Sequence, residues 1–311
     1  MKSNLFKRKL TVGAFLSGIV MAPNLASACA CGCGIFDVGT SSMLPEGAGG
    51  MASLAFNYQN QDKNWNGTSA ASAANNADKK LETYTITPNL QYFFNRSWGA
   101  QMSVPIVNRT FDSSDNSGPI TWTGLGDIQL KCTYTGFSAD MSSGVSLGVK
   151  LPTGSYDHTD PAGDIDRDSQ IGTGSTDLLI GAFHRGGIGD SLNWNWFTQA
   201  QLDLPILKQG DYRPGLETDA ALGAYYEGWT VKQLEITPIG QVIGVVRGRD
   251  NGVDADPDNT GYQRILLSPG IEFDLYPVKL YADVEIPVYQ NMKGNQLVAP
   301  ALFKVSLSYM F

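Results

Sequence analysis

The sequence predicts an all-β protein, a transmembrane antiparallel β-barrel of about twelve strands. Three observations carry this. The last nine residues alternate: Phe303, Val305, Leu307, Tyr309 and Phe311 are apolar, and Lys304, Ser306 and Ser308 between them are polar, with Met310 the exception. A period of two turns one face to an apolar medium and the other to water. Segments of this kind recur from Gly50 onward. Their connections are alternately short and long, as when tight turns lie at one rim and longer loops at the other.

The segments follow in order. The first is Met51 to Gln59, with Leu54, Phe56 and Tyr58 on one face, and a polar loop covers Asn60 to Lys80. The second, Thr83 to Phe94, turns at Asn95-Arg96-Ser97 into a third near Ala100 to Val107. A loop is expected over Asn108 to Pro119, and a fourth strand over Gly126 to Gly136. The fifth is Val145 to Leu151, before a long acidic loop, Ser155 to Gly172. Segments six and seven, Ser175 to His184 and Asn193 to Leu207, meet at a glycine-rich turn. Glu217 to Tyr226 and Leu234 to Val246 are next, then an acidic loop, Arg247 to Thr260. Ile265 to Tyr276 and Val278 to Tyr289 flank Pro277, and a loop over Gln290 to Asn295 leads to the last strand. An even strand number returns both termini to one side, the periplasm, and places the acidic loops outside. An unpaired edge in lipid costs several kcal/mol per group, so the sheet must close.

Residues 1–28 read as a secretory leader. Lys2, Lys7, Arg8 and Lys9 precede a short apolar run, and Ala26-Ser27-Ala28 is a small-residue cleavage site. Residues 29–49 form a Cys- and Gly-rich periplasmic segment, and 50–311 the barrel. Lipidation of Cys29 is a second reading of the leader, although Ala26 stands where Leu is usual. Loss of the four leader cations takes the net charge from −8 to −12. That acidity excludes a nucleic-acid partner, which wants a basic face. It fits a cell-surface barrel in outer-membrane lipid and lipopolysaccharide. Oligomeric state is not readable.

Aromatic residues gather near strand ends: Tyr92, Phe94 and Trp98; Trp194 and Trp196; Tyr225, Tyr226 and Trp229; Tyr309 and Phe311. Interfacial girdles have this distribution. Pro88, Pro105, Pro152, Pro205, Pro238, Pro269, Pro287 and Pro300 recur within or beside the segments. Proline removes a ladder donor. The eight mark either a band of bulges or the points where membrane strands end. A last strand ending on Phe311 resembles the closing strand of bacterial outer-membrane barrels, where that residue is an address for the barrel assembly machinery.

Gly124-Leu125-Gly126-Asp127, Leu151-Pro152-Thr153-Gly154 and Gly172-Thr173-Gly174-Ser175-Thr176-Asp177-Leu178 resemble the transporter-like outer-membrane family named for the MetA pathway of phenol degradation. The likeness runs from about Gly50 to Phe311. It implies a barrel that passes small solutes, hydrophobic or aromatic ones among them, and it names no site residues. The Cys-rich N-terminus departs from the family.

Alternation assigns Asp127, Lys131, Lys150, Asp203, Glu235, Glu272, Asp274, Lys279, Asp283, Glu285 and Lys304 to the lumen. Mixed charge there either lines a water-filled channel or forms salt-bridged layers that plug it. An open lumen would prefer cations weakly, with Glu272, Asp274, Asp283 and Glu285 as its source. Cys29, Cys31 and Cys33 suit a soft metal, Cu(I) or zinc, although a mononuclear zinc site lacks a fourth ligand. A disulfide with one spare thiol is the other reading in an oxidising compartment. A docking barrel whose Cys segment binds metal or an electron-transfer partner is thus the alternative to a channel. Asp160, Asp164, Asp166 and Asp168, in a loop that also holds Asp157, and Asp250 to Asp258 in a second loop, read as solvated charge or as Ca²⁺ ligands without the EF-hand pattern. Cys132 is expected to face lipid. His158 and His184 are the only histidines, no nucleophile arrangement is visible, and an enzyme is not indicated.

Overall fold

The computed structural model describes residues 44, 45, 47–190 and 193–311. The leader and Cys29, Cys31 and Cys33 lie outside them. Among the described residues seventeen strands form one sheet: β1 (Gly49–Gln61), β2 (Lys63–Gly67), β3 (Ser69–Ala70), β4 (Asp78–Phe93), β5 (Trp98–Ser103), β6 (Ile106–Ser113), β7 (Ile120–Leu125), β8 (Ile128–Tyr134), β9 (Ser143–Leu151), β10 (Ser175–Gly187), β11 (Trp194–Lys208), β12 (Glu217–Tyr226), β13 (Trp229–Val231), β14 (Leu234–Arg247), β15 (Tyr262–Leu275), β16 (Val278–Val298) and β17 (Leu302–Met310). β5 with β6, and β7 with β8, are halves of single staves. β2, β3 and β13 are short additions at the rims. The wall is a closed antiparallel barrel of twelve staves. No helix among the described residues is long and apolar enough to cross a membrane, and the crossing is made by strands.

β1 pairs with β17 from Met51↔Met310 to Gln59↔Leu302 and seals the barrel. The seam finishes on the last residue. Gly50 N–H donates to the Phe311 carbonyl (2.7 Å), and Phe311 N–H donates back to the Gly50 carbonyl (2.9 Å). The Phe311 ring lies where a Cβ on residue 50 would stand, so a side chain there would push this exposed ring aside.

Burial runs opposite to that of a water-soluble barrel. Leu307 is 51% exposed, whereas Ser306 and Ser308 beside it are 1% and 3% exposed. Leu54, Phe56, Ile86, Leu90 and Val305 also point outward, and Lys304, Glu285 and Arg264 point inward. Only a surrounding hydrocarbon phase makes this arrangement stable. Two aromatic belts bound the apolar band. Tyr58, Tyr84 and Phe303 cluster near the long-loop rim. Tyr92 with Phe311, Trp98 with Tyr134, and Trp194 with Tyr226 lie near the short-turn rim. From Tyr84 to Tyr92 is about 26 Å of strand, which tilt reduces to about 20 Å along the membrane normal. Tyr225 does not belong to a belt. It is 3% exposed and packs inward against Phe197. Cys132 faces outward and is exposed.

Three expected loops contain strand. β6 continues stave three through residues 108–113, and β7 begins stave four at Ile120, ahead of the expected Gly126. β2 and β3 occupy part of 60–80, and β16 runs through 290–295 to pair with β2. These pieces stand above the apolar band, where the outward residues are polar and the apolar ones, Phe111, Ile120, Trp122 and Leu297, turn inward under the cap. The ladder continues there, but the outward apolar half of the alternation is gone, so period-two reading stops too early. The prolines divide between the two expectations. Pro205 and Pro287 sit at register shifts. Pro105 separates β5 from β6, and its carbonyl accepts from Gly126 N–H (2.8 Å). Pro152 and Pro300 lie beyond strand ends. Pro88, Pro238 and Pro269 stay within ladders.

Candidate solute pathway

The interior is filled unevenly. Behind β14 to β17 the inward side chains interlock. Asp283 accepts hydrogen bonds from Ser268 (2.7 Å), Tyr281 (2.8 Å) and Gln241 (3.2 Å). Lys279 pairs with Asp274 at 3.0 Å and with Glu272 at 3.7 Å. Lys304 lies over the Tyr281 ring. Ile239, Ile243, Leu266 and Leu302 complete an apolar column against these groups. Glu285 is buried here, and Glu235 is half-buried opposite Asp274. The expected source of cation preference, Glu272, Asp274, Asp283 and Glu285, is therefore misplaced. All four face inward, but they are built into packed layers because each has neutralising or hydrogen-bonding neighbours on its own wall.

Between β1, β4 to β12 and the cap above them lies a cavity of about 300 Å³. Asp127, Lys131, Lys150 and Asp203 of the expected set line it. One wall, on β1, β4 and β5, is neutral and polar: Asn57, Gln59, Thr85, Asn89, Gln101 and Ser103. The wall on β10 to β12 is acidic: Asp177, Asp203, Glu217 and Asp219. Lys150 bridges this wall, bound to Asp177 and to Asp203 (2.9 Å). Asp177, Glu217 and Asp219 were missed as site residues, although each falls on the inward parity of its strand.

The loop over residues 152–174 caps the long-loop end, and the three glycine-rich motifs meet at its root. Asp127 Oδ1 accepts from Gly154 N–H (3.0 Å). Asp127 Oδ2 accepts from Thr173 N–H (2.8 Å) and from the Thr173 hydroxyl (2.7 Å). Thr153 donates to the Gly126 carbonyl (2.8 Å) and accepts from Ile128 N–H (2.9 Å). Gly154 and Gly172 pass so closely that a Cβ on either would strike the other's backbone. Asp127 lines the cavity and also clamps the loop.

Arg109, reaching up from β6, donates to the carbonyls of Ser169 (2.9 Å) and Gln170 (2.7 Å). Ile165 packs with Leu81, Phe111, Ile120, Trp122 and Leu297. Arg167 is sandwiched between the Tyr156 and Tyr212 rings. The acidic residues are used for folding. Asp160 caps Ala162 N–H (2.8 Å). The Asp164 carbonyl accepts from Asn116 (3.0 Å). Asp168 falls in a short turn, Arg167–Ser169. Asp166 lies against Asp78, on the extension of β4 above the apolar band. Burial chiefly, and then the neighbouring carboxylates, push Asp78 up to about 9 and raise Asp166 as well. Among the described residues no three acidic, His or Cys side chains are grouped as metal ligands, and Asp160, Asp164, Asp166 and Asp168, read as solvated charge or as Ca²⁺ ligands, take up these separate contacts. Nor is the second loop only solvated charge. Asp250 is fully buried and binds Tyr212 (2.6 Å), Gly215 N–H (2.7 Å) and Arg247 (3.0 Å).

The short-turn end is narrower. Leu44 and Pro45 sit inside this mouth beside Met51, Phe93 and Phe183, around a second cavity of about 90 Å³. Arg185 donates to the Pro45 carbonyl (3.1 Å). Lys131 Nζ donates to Gln201 Oε1 (2.6 Å), and both residues border both cavities. His184 faces outward and meets the Ser143 hydroxyl (2.7 Å), while His158 stacks on Trp122.

No protein-family model matches the chain, and no curated protein matches it. Solved structures do resemble it. An outer membrane channel from Pseudomonas putida F1 is similar with a TM-score of 0.60 and 13% identity, over 90% of this chain and 100% of that one. The β domain of the Bordetella autotransporter BrkA is similar with a TM-score of 0.52 and 12% identity, over 85% and 100% of the two chains. These likenesses speak to fold alone. With the outward apolar band, they define a transmembrane β-barrel fold of the outer-membrane type.

Proposed function

We propose that the barrel passes small polar solutes across the outer membrane through a narrow, capped lumen. The observation that supports this most is the cavity of about 300 Å³ lined by hydrophilic side chains at mid-barrel. A structural plug would fill this space, as the layers behind β14 to β17 do. The family resemblance suggests hydrophobic or aromatic solutes. The polar lining favours hydrophilic ones, because an apolar solute would strand buried hydrogen-bonding groups. In this reading the short turns and both termini face the periplasm, and the capping loops face outside among lipopolysaccharide. Phe311 serves the assembly machinery as well as the seam.

Liposome swelling tests the proposal. Four-carbon polyols should enter through the folded barrel, and disaccharides should be excluded. Equal entry of both would indicate a wide pore, and no entry a plugged barrel. The occupied short-turn mouth favours one second reading: a docking barrel whose segment upstream of Leu44 holds Cu(I) or zinc at Cys29, Cys31 and Cys33. Metal analysis of the purified barrel, with and without those cysteines, tests that.

A further inference from the structure

We propose that the mid-lumen cavity is a binding site for a small organic cation, an ammonium or guanidinium compound carrying several N–H or O–H donors. This rests on the transport reading and names its substrate class. The lining has a surplus of acceptors on two opposed walls. On the neutral wall, Asn57 Oδ1, Gln59 Oε1 and Asn89 Oδ1 are buried and make no hydrogen bond. Gln59 is 4% exposed and borders the cavity. On the acidic wall, Asp177 Oδ1 and Asp203 Oδ1 are likewise without a hydrogen bond. Glu217 and Asp219 adjoin them in register, Asp203↔Glu217 and Gln201↔Asp219.

The cations around the cavity are already engaged. Lys150 holds Asp177 and Asp203. Lys131 donates to Gln201. Arg109 is held by the capping loop, and Arg247 by Asp250. Arg264, two strands from Asp219, lies over the Tyr262 ring. Four carboxylates thus share the wall with Lys150 and with Arg247, the cross-strand partner of Glu217 that Asp250 holds. An anion entering this space would meet carboxylates and engaged donors. A hydrocarbon would leave each buried acceptor unsatisfied, at about 1–3 kcal/mol apiece. A donor-rich cation can satisfy both walls at once, with its charge toward Asp203 and Asp219 and its remaining donors toward Gln59 and Asn89.

Uptake into proteoliposomes tests this with three probes built on a four-carbon chain: agmatine, which carries a guanidinium and an ammonium, neutral erythritol, and anionic succinate. Agmatine should enter at least about fivefold faster than either of the others, which corresponds to about 1 kcal/mol of selective stabilisation. Asp219→Asn and Gln59→Leu should each lower the ratio of agmatine to erythritol influx toward one. Heat-modifiable gel migration checks that both variants fold. Equal influx of agmatine and erythritol in the wild type would overturn the cation site while leaving the channel standing. So would variants that leave that ratio unaltered. If no probe enters, the channel reading fails, and binding of labelled agmatine to the detergent-folded barrel decides the site alone. Saturable binding lost in Asp219→Asn supports it, and no saturable binding overturns it.

Discussion

Asp127 accepts three hydrogen bonds from Gly154 and Thr173, residues 27 and 46 positions further along the chain. A buried carboxylate held by two N–H groups and a hydroxyl is a strong local tie. Asp127→Ala should loosen the capping loop by about 2–4 kcal/mol locally. Proteolysis between residues 155 and 172 should then quicken at least about tenfold, and unchanged cleavage would count against the clamp. The inward position of Asp127 was legible from alternation. Its partners were not, because backbone N–H donors delivered by a distant loop leave no side-chain pattern. The three glycine-rich motifs could be seen as a resemblance, but only the fold brings them to one point.

Asp78 and Asp166 make a second tie, and it depends on pH. Both carboxyls take up protons more readily in the folded protein than in the unfolded chain. Stability from such groups is fully present below the unfolded value near 4, and is lost as pH rises through the folded value of about 9. Susceptibility of the capping loop to protease, normalised to an unstructured peptide at each pH, should therefore rise progressively from about pH 5 to about pH 9 and level off above it. Asp78→Asn should abolish that rise, and a flat wild-type profile would contradict the pairing.

At the scale of the element, β17 shows why a strand can be read from nine residues. Its neighbours differ on its two faces, lipid outside Leu307 and packed polar groups inside Ser306 and Ser308. A charge set among the lipid-facing residues has no partner and no water. Leu307→Arg should cost about 2–4 kcal/mol in urea unfolding from lipid vesicles, and a change under about 0.5 kcal/mol would mean that this face does not meet hydrocarbon. β16 shows the converse. Up to Tyr289 its alternation is plain, and beyond it Gln290, Asn291, Lys293 and Asn295 extend the ladder outside the apolar band, while Met292, Leu297 and Val298 pack inward. Sequence pattern records the medium around a strand rather than its hydrogen bonds, so strands inside the membrane were visible and their extensions were not.

At the scale of the molecule, the barrel is neither an open pore nor a filled rod. Salt-bridged and apolar layers occupy one side, and a hydrophilic cavity occupies the other. The capping loop closes one end, and Leu44 with Pro45 narrows the other. Inward parity identified the polar face, but it did not separate lining from filling. That division depends on whether neighbouring staves carry complementary bulk, as Tyr281, Leu266 and Ile243 do beside Asp283. Glycine at 181, and serine at 103 and 146, leave the walls around the two cavities lower.

Single-channel recording from the purified, folded barrel in a planar bilayer tests the transport reading most directly. A narrow lumen with an acidic wall predicts small, stable steps, a reversal potential biased toward cations, and larger steps in Asp127→Ala as the cap loosens. A silent bilayer for both proteins, with folding confirmed by heat-modifiable migration, would contradict it.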